Sequence, residues 1–223
     1  MFYQSIRIQI AIITKLINNT KFKIDKGDHL LDTHTHILWN IDDGSKNQCM
    51  SLQMLEIAAR SGTKAIFATP HVIERANKPS WEEIKEKTQQ LRQLCAEAQI
   101  DIMLYPGAEV QMNWELLPEL GAAGAYCLNG GRYLLVELPA AEIPAYADEF
   151  WYELELKGIT PILAHPERYQ QLRENPDLLL LWRRRGMLMQ CNSGSFTGMF
   201  GSSVCENAKV LLANGLVDLL GSD

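Results

Sequence analysis

The sequence lacks the cysteine patterns that define several protein classes. It has five cysteines, an odd number with no C-x-x-C pair, which argues against a disulfide framework or a zinc ribbon and favours a reducing cytoplasm. No cysteine is followed by an arginine six positions later; Cys191, for example, is followed there by Thr197. A phosphatase with a thiolate nucleophile needs that spacing to join the thiolate to a phosphate-binding loop, so we do not expect this mechanism.

The chain also has no excess of positive charge and no long apolar run. Its formal net charge of -6 argues against a general nucleic-acid-binding protein, which needs a basic surface. The apolar stretch at residues 7–17 is interrupted by Gln9 and Lys15 and is too short to span a bilayer. No small-residue cleavage site follows it. We therefore interpret residues 1–28 as an N-terminal extension and residues 29–223 as one domain without a membrane span.

Short apolar runs alternate regularly with helical patterns along this domain. The helical pattern at residues 46–61 ends at Gly62, and another begins at Ser80 with capping-box spacing to Glu83, both typical of helix ends. The apolar runs predict strands near residues 29–32, 65–68, 100–105, 133–136, 159–164, 187–190 and 216–220. About seven strand–helix units predict a parallel sheet, either a barrel or an open sheet.

Residues that commonly bind metals fall at the end of nearly every predicted strand. In chain order they are His34, His36, His71, Glu109, Glu137, His165, Asn192 and Asp223. The carboxyl ends of all strands meet at one face of a parallel barrel, whereas an open sheet concentrates its site at one switch point. Contributions from almost every strand therefore favour a barrel.

The pair His34 and His36 is the strongest single indication of a metal site. Residues two apart on an extended segment point to the same side, so both imidazoles can reach one ion. Imidazole and carboxylate ligands suit zinc, manganese or iron, and carboxylates can bridge two ions that act on a phosphate ester. Each residue alone would more often be a helix cap, an ion-pair partner or a loop histidine. Their coincidence at matched strand ends favours a metal centre.

Several motifs resemble one family of enzymes. The segments that carry the resemblance are Asp32–His36, Ile41–Gly44, Thr69–His71, Gly107–Glu109, Ala164–Tyr169, Asn192–Ser195 and Gly221–Asp223. In order and approximate spacing they resemble the bacterial metal-dependent protein-tyrosine phosphatases of the polymerase and histidinol phosphatase (PHP) superfamily. This is the CpsB/CapC type, which occurs with capsular and extracellular polysaccharide systems.

The resemblance implies a fold and a set of site residues. The fold would be a distorted, TIM-like (β/α)₇ barrel, the PHP fold, over residues 29–223. It would hold up to three ions, often Mn²⁺, with Fe, Zn, Mg or Co as alternatives. Arg168 would grip the substrate phosphate, and Asp43 would take part in catalysis and metal binding. The implied metal ligands are His34, His36, Asp43, His71, Glu109, Glu137, His165 and Asp223.

The resemblance also implies a reaction and a partner. A metal-bound hydroxide would attack the phosphorus of phosphotyrosine and expel the phenolate. The substrate would be a phosphotyrosine protein in the cytoplasm, such as the tail of a bacterial tyrosine kinase that acts in capsule or exopolysaccharide synthesis.

The sequence departs from the family pattern at its last motif. That motif is Ser-Asp-x-His, and here the sequence ends at Asp223, so the final histidine is lacking and we expect a C-terminally truncated domain with an incomplete third metal position. Two other functions remain as alternatives. One is a phosphatase of small phosphomonoesters, similar to histidinol phosphatases. The other is a catalytically impaired protein that binds a metal or a partner.

Overall fold

The computed structural model describes residues 30–223. The predicted N-terminal extension at residues 1–28, and His29 at the start of the first predicted strand, lie outside the described residues. Within residues 30–223, none of the helices combines the length and apolar character needed to cross a membrane.

The described chain forms two sheets in which all paired strands are parallel. One sheet has the order β1-β2-β4 and the other the order β3-β5-β6-β7-β8-β9. The strands are β1 (Leu30–Thr35), β2 (Thr63–Ala68), β3 (His71–Val72), β4 (Met103–Pro106), β5 (Glu109–Gln111), β6 (Tyr133–Glu137), β7 (Thr160–Ala164), β8 (Leu188–Asn192) and β9 (Leu219–Gly221). The prediction of an α/β fold with parallel sheets is thus confirmed.

Helices connect most of these strands. They are α1 (Gln48–Arg60), α2 (Trp81–Glu97), α3 (Ala147–Leu156), α4 (Gln170–Glu174), α5 (Asp177–Arg184), α6 (Ser193–Phe196) and α7 (Ser202–Ala213). Ser80 caps α2 by accepting a hydrogen bond from the Glu83 backbone N–H at 3.1 Å, as its spacing predicts. Gly62 follows α1 with a φ of 92°, a left-handed conformation that suits glycine.

Two predicted strands begin later than their apolar runs suggest. The backbone N–H of Ile100 donates to the Cys95 carbonyl at the end of α2, and that of Leu216 donates to the Leu211 carbonyl at the end of α7. These residues close the preceding helices and are not available for strand pairing. Strands β4 and β9 therefore start at Met103 and Leu219.

Two strands are interrupted just before their functional residues. Thr69 and Pro70 separate β2 from β3, and Gly107 and Ala108 separate β4 from β5. Pro70 has no N–H for a ladder. A Cβ on Gly107 would lie 2.7 Å from a Leu128 methyl carbon, so any larger residue there would require the Leu128 side chain to shift.

His71 and Glu109 occupy the short strands that follow these interruptions. The two residues are paired in the register of β3 and β5. Each residue follows its predicted strand, as expected, but the strand resumes after the break, so that each residue begins a short strand of its own. This pairing brings the two side chains to the same edge of the sheet.

The last strand lies beside the first. The Asp223 N–H donates to the His34 carbonyl at 2.8 Å, and the Thr33 hydroxyl donates to the Leu220 carbonyl at 2.8 Å. The Ser222 N–H donates to the Asp32 carboxylate at 2.9 Å. Residues from the two ends of the described chain are thus held side by side.

The sheets are buried on both faces. On the outer face, α1 to α3 and α5 place large apolar side chains such as Leu55, Leu91, Trp151 and Trp182 against the strands. On the inner face, a second cluster joins side chains of β2, β4, β6, β7 and β9: Ala65, Phe67, Tyr105, Tyr133, Leu135, Ile162, Ala164 and Leu219. Because strands far apart in the sheets share this cluster, the sheets curve around it. Burial on both faces is typical of parallel sheets covered by helices.

Candidate metal centre

The predicted site residues converge at the carboxyl ends of the strands. His34 is the second-last residue of β1, and His36 lies just beyond the end of that strand. There a cleft of about 780 Å³ is lined by His36, Asp43, His71, Glu109, Glu137, His165, Arg168 and Asp223. His34 lies directly behind this lining, fully buried.

Glu109 is the centre of this cluster. Its Oε2 atom lies 3.1 Å from His34 Nε2, 3.3 Å from His36 Nε2 and 3.0 Å from His71 Nδ1. Its Oε1 atom lies 2.8 Å from His165 Nε2. One buried carboxylate is therefore surrounded by four imidazoles from three strand ends, because His34 and His36 both lie at the end of β1.

The spacing of the donor atoms fits metal ions. Ligand atoms about 2.0–2.2 Å from one ion stand roughly 3 to 3.5 Å apart, and the distances around Glu109, 2.8–3.3 Å, are close to that range. Within each of four groups, the donor atoms lie within 4.8 Å of one another: His34, His36 and Asp223; His34, Glu109 and His165; His36, Asp43 and His71; His71, Glu109 and Glu137.

Two orphaned polar atoms support the same fit. Glu109 Oε2 and His71 Nδ1 are buried and have no hydrogen-bond partner among the described residues, although they face each other at 3.0 Å. A buried polar atom without a partner carries a desolvation penalty. A cation between these atoms would remove that penalty, so the residues present fit a metal centre.

The electrostatics of the cluster favour ionised carboxylates. Burial alone would lower the pKa of His36, but hydrogen bonds to Asp223 and Asp42 outweigh it and raise the pKa to about 12. The carboxylates of Glu109 and Glu137 likewise outweigh burial and raise the pKa of His71 to about 10. Burial would raise the pKa of Glu109, yet the surrounding imidazoles hold it well below its usual value. Without a metal, protons on His34, His36 and His71, whose pKa values are all raised, balance the negative carboxylates.

Asp42 orients the His36 imidazole and holds the His71 backbone, a role that the sequence did not reveal. Its Oδ2 atom accepts hydrogen bonds from His36 Nδ1 at 2.7 Å and from the His71 backbone N–H at 2.9 Å. With Nδ1 as the donor, Nε2 is the His36 nitrogen that faces the cluster. Sequence reasoning assigned a role to Asp43 and none to its neighbour, and adjacent aspartates give no signal that separates them. Asp43 itself is largely exposed, with Oδ1 3.8 Å from His71 Nε2.

Gln190 orients the His34 imidazole, as Asp42 orients the His36 imidazole. It lies in β8, fully buried, and its Oε1 atom accepts from His34 Nδ1 at 2.9 Å. Its amide nitrogen donates to the Cys191 carbonyl and to Asn192 Oδ1. This residue was also missed, although a glutamine in the apolar run 187–190 was a usable signal.

Asp223 faces in two directions. Its Oδ1 atom lies 3.2 Å from His36 Nε2 and 3.6 Å from His34 Nε2. Its Oδ2 atom accepts from Arg168 Nη1 at 3.0 Å and from the Asn192 side chain. One carboxylate thus joins the imidazole cluster to the arginine.

A strained turn after β7 positions both His165 and Arg168. His165 has a φ of 35°, which is uncommon for a residue other than glycine and is found where surrounding contacts enforce it. Glu167 follows in a short 3₁₀ turn and is buried. Its Oε1 atom accepts from the Asn192 N–H at 2.8 Å and from the Ser195 hydroxyl at 2.7 Å. These hydrogen bonds fix the turn, which places His165 in the metal cluster and Arg168 at the cleft.

The buried cysteines do not provide a nucleophile. Burial raises the pKa of Cys191 well above its usual value, and the charge of Glu167 adds to this effect. Burial also raises the pKa of Cys127 to about 12. These groups stay protonated thiols near neutral pH, whereas a nucleophilic cysteine acts as the thiolate. Neither of these two buried thiols supports cysteine-based catalysis.

Asp42→Asn should weaken metal binding while leaving the fold intact. The variant keeps the shape of the side chain but loses the charge that holds the His36 imidazole. We expect the dissociation constant for Mn²⁺ to rise about 10- to 100-fold, as for other residues that orient metal ligands. Titration calorimetry measures this constant, and Asp101→Asn, at an exposed residue that pairs with Lys64, is the control. Equal affinity in both variants would contradict the assigned role.

Fold and site together define a class. The described chain is a parallel α/β protein with a candidate multinuclear metal centre at the carboxyl ends of its strands and an arginine beside it. That is the position at which such folds carry their active sites.

Comparison with known proteins gives the family. Residues 30–223 match the family "Capsular polysaccharide synthesis, CpsB/CapC", and the chain belongs to it. Tyrosine-protein phosphatase YwqE of Bacillus subtilis is 34% identical over 194 residues, which are 87% of this chain and 76% of that protein. Tyrosine-protein phosphatase CpsB of Streptococcus pneumoniae is 28% identical over 199 residues, 87% of this chain and 82% of that protein.

A solved structure agrees with this assignment. A crystal structure from work on YwqE of Bacillus subtilis and CpsB of Streptococcus pneumoniae, described there as unique metal-dependent tyrosine phosphatases, superposes with a TM-score of 0.82. It is 34% identical in sequence, and the match covers 87% of this chain and 78% of that one. The family predicted from the motifs is confirmed.

Proposed function

We propose that this protein is a metal-dependent tyrosine-protein phosphatase. The observation that carries the proposal is the buried Glu109 carboxylate among four imidazoles, beside Arg168 in an open cleft. Membership of a family whose relatives are named as tyrosine-protein phosphatases supports the same activity.

The four donor groups support up to three ions that share ligands. Glu109 belongs to two of the groups and would be the carboxylate shared between ions, whereas Glu137 belongs to one group, which it shares with Glu109. Asp43 supplies the outermost carboxylate of the set. The donors are imidazoles and carboxylates without a thiolate, which suits Mn²⁺ and admits Fe, Zn, Mg or Co. We propose Mn²⁺ as the working ion and His34, His36, Asp43, His71, Glu109, Glu137, His165 and Asp223 as its ligands.

The residues of the site have different proposed roles in hydrolysis. Divalent ions in such a site lower the pKa of water and neutralise charge on phosphoryl oxygens. Arg168 binds the phosphate with its planar fork, a geometry that matches two phosphoryl oxygens at once. Asp42 and Gln190 hold the imidazoles in the orientation that exposes Nε2 to the centre. Tyrosine leaves as a phenolate, a far better leaving group than an alkoxide because the phenol has a pKa near 10.

A closed barrel is the proposed form of the fold. The described part of the chain has nine strand segments. Segments β2 and β3 are two parts of one interrupted strand, and so are β4 and β5, so the nine segments make seven strands. The bonds between Asp223 and His34 and between Thr33 and Leu220 place the seventh beside the first. These contacts support a distorted, TIM-like (β/α)₇ barrel, with residues 29–223 as its PHP-type catalytic domain.

The proposed physiological substrate is a phosphotyrosine protein in the cytoplasm. The family description connects these proteins with capsular polysaccharide synthesis. We propose the tyrosine-rich tail of a bacterial kinase of capsule or exopolysaccharide synthesis as the substrate. An open cleft suits a tyrosine presented on an extended tail.

Metal-dependent hydrolysis of a phosphotyrosine peptide tests the proposed function. After chelation, we expect Mn²⁺ to restore phosphate release, at a higher kcat/KM than for histidinol phosphate. His34→Ala should lower kcat/KM at least about a hundredfold, since it removes a proposed ligand. Thermal melts without metal check that the variant is folded. Faster hydrolysis of histidinol phosphate would instead indicate a small-ester phosphatase, and bound Mn²⁺ without any hydrolysis would indicate a binding protein.

A further inference from the structure

We propose that Phe200 is a specificity-determining residue that selects aryl over alkyl phosphate esters by packing against the ring of the substrate. This inference rests on the proposed phosphatase function. Neither the sequence motifs nor the metal cluster includes Phe200. It lies in the turn between α6 and α7 and lines the same cleft as the metal cluster.

Phe200 stands next to the group that holds the phosphate. The guanidinium carbon of Arg168 lies 4.9 Å from the centroid of the Phe200 ring, and Arg168 Nη1 lies 3.0 Å from Asp223. Metal cluster, arginine and aromatic ring therefore follow one another along the cleft. In an aryl ester only one oxygen separates the phosphorus from the ring. A phosphate held by Arg168 thus brings an aryl substituent within reach of Phe200.

The turn that carries Phe200 is closely packed. A Cβ on Gly194 would lie 3.0 Å from Met199 Sδ and 3.2 Å from Phe200 Cε2. The N–H of Met199 donates to the Gly194 carbonyl at 3.1 Å. Gly198 and Gly201 flank the pair with φ values of 85° and 95°, which only glycine adopts readily. The ring is held by this local structure and is not a freely moving surface side chain.

Apolar side chains line part of the same cleft. Met50 and Met54, one turn apart on α1, and Leu138 after β6 line it together with Phe200. Methionine makes favourable contacts with aromatic rings and adapts to their shape. An aromatic pair adds about 0.5–1.5 kcal/mol to the effect of buried area. An alkyl ester makes fewer contacts with these apolar side chains, so they favour the binding of an aryl ester.

A purely structural role for Phe200 makes a different prediction. If the ring only supported Arg168, its loss would weaken every phosphate ligand alike. If it contacts the substrate ring, only ligands with a ring would be affected. Two inhibitors that share a phosphonate and differ in the substituent separate these roles, because they need no leaving group and no turnover.

The test compares phenylphosphonate with methylphosphonate on the Mn²⁺-loaded protein. Their dissociation constants are measured by titration calorimetry for the wild type and for Phe200→Ala, Phe200→Trp and Met199→Ala. We expect Phe200→Ala to weaken phenylphosphonate about tenfold, in line with the loss of an aromatic contact and its buried area. Methylphosphonate should change by less than about twofold. Phe200→Trp should restore most of the preference. Met199→Ala is the matched control, since Met199 is 74% exposed in the same turn.

Other outcomes would overturn the inference. Equal weakening of both phosphonates in Phe200→Ala would assign Phe200 to the support of Arg168. Unchanged binding of phenylphosphonate, or no preference for it in the wild type, would show that the ring is not contacted. A protein that binds phenylphosphonate as expected but hydrolyses no phosphomonoester would contradict the proposed function alone.

Discussion

Glu109→Gln is expected to lower kcat/KM on a phosphotyrosine peptide by about a thousandfold and to remove most of the bound metal. The substitution preserves the size of the side chain and removes its charge. Glu109 faces four imidazoles within 2.8–3.3 Å, so no other carboxylate in the described chain can take its place. The neutral amide cannot bridge two cations, and its NH₂ group would point at nitrogens that must bind metal.

Elemental analysis of the purified variant and steady-state kinetics with added Mn²⁺ measure the two effects. Glu115→Gln is the matched control, because Glu115 is half exposed and pairs with Arg75 on the surface. The control should keep both metal and activity. Full metal content and a wild-type rate in Glu109→Gln would remove Glu109 from the centre of the site and with it the proposed sharing of ligands between ions.

The convergence of these side chains could be predicted from the sequence because it depends only on the direction of the strands. In a parallel sheet, residues at the ends of different strands meet whatever the loops do. His34, His71, Glu109 and His165, separated by tens of residues, were therefore brought together correctly. The breaks in β2 and β4 were not predicted, and the second of them includes Gly107, which packs closely against Leu128. Periodicity does not report such contacts.

The residues that orient the ligands could not be derived in this way. Gln190 meets His34 across 156 positions of sequence, and Glu167 reaches Ser195 and the Asn192 backbone from a turn. Such hydrogen bonds depend on side-chain direction and depth, which no local pattern encodes. A buried polar residue in an apolar strand is a signal that such a partner exists, but it does not name the partner.

The second large effect is expected from a substitution in the phosphate-binding residue Arg168. Arg168→Lys tests phosphate recognition without changing the charge of the side chain. We expect kcat/KM on a phosphotyrosine peptide to fall roughly a hundredfold, because lysine offers a point charge in place of a planar fork. Arg168→Ala should lower kcat/KM about tenfold further than Arg168→Lys does. Metal content should stay at the wild-type level in both, since Asp223 turns its Oδ1 atom to the imidazoles and only its Oδ2 atom to the arginine.

The control for this test lies five positions away. Arg173 is an exposed residue of α4 that contacts Ser203 and does not line the cleft, so Arg173→Lys should leave kcat/KM unchanged. If Arg168→Lys retained its rate within about threefold, a single positive charge would suffice at this position. The phosphate would then be held by the metal centre, and Arg168 would act mainly by holding Asp223. Loss of metal together with activity in Arg168→Lys would lead to the same conclusion, because it would mean that the ion pair positions the carboxylate.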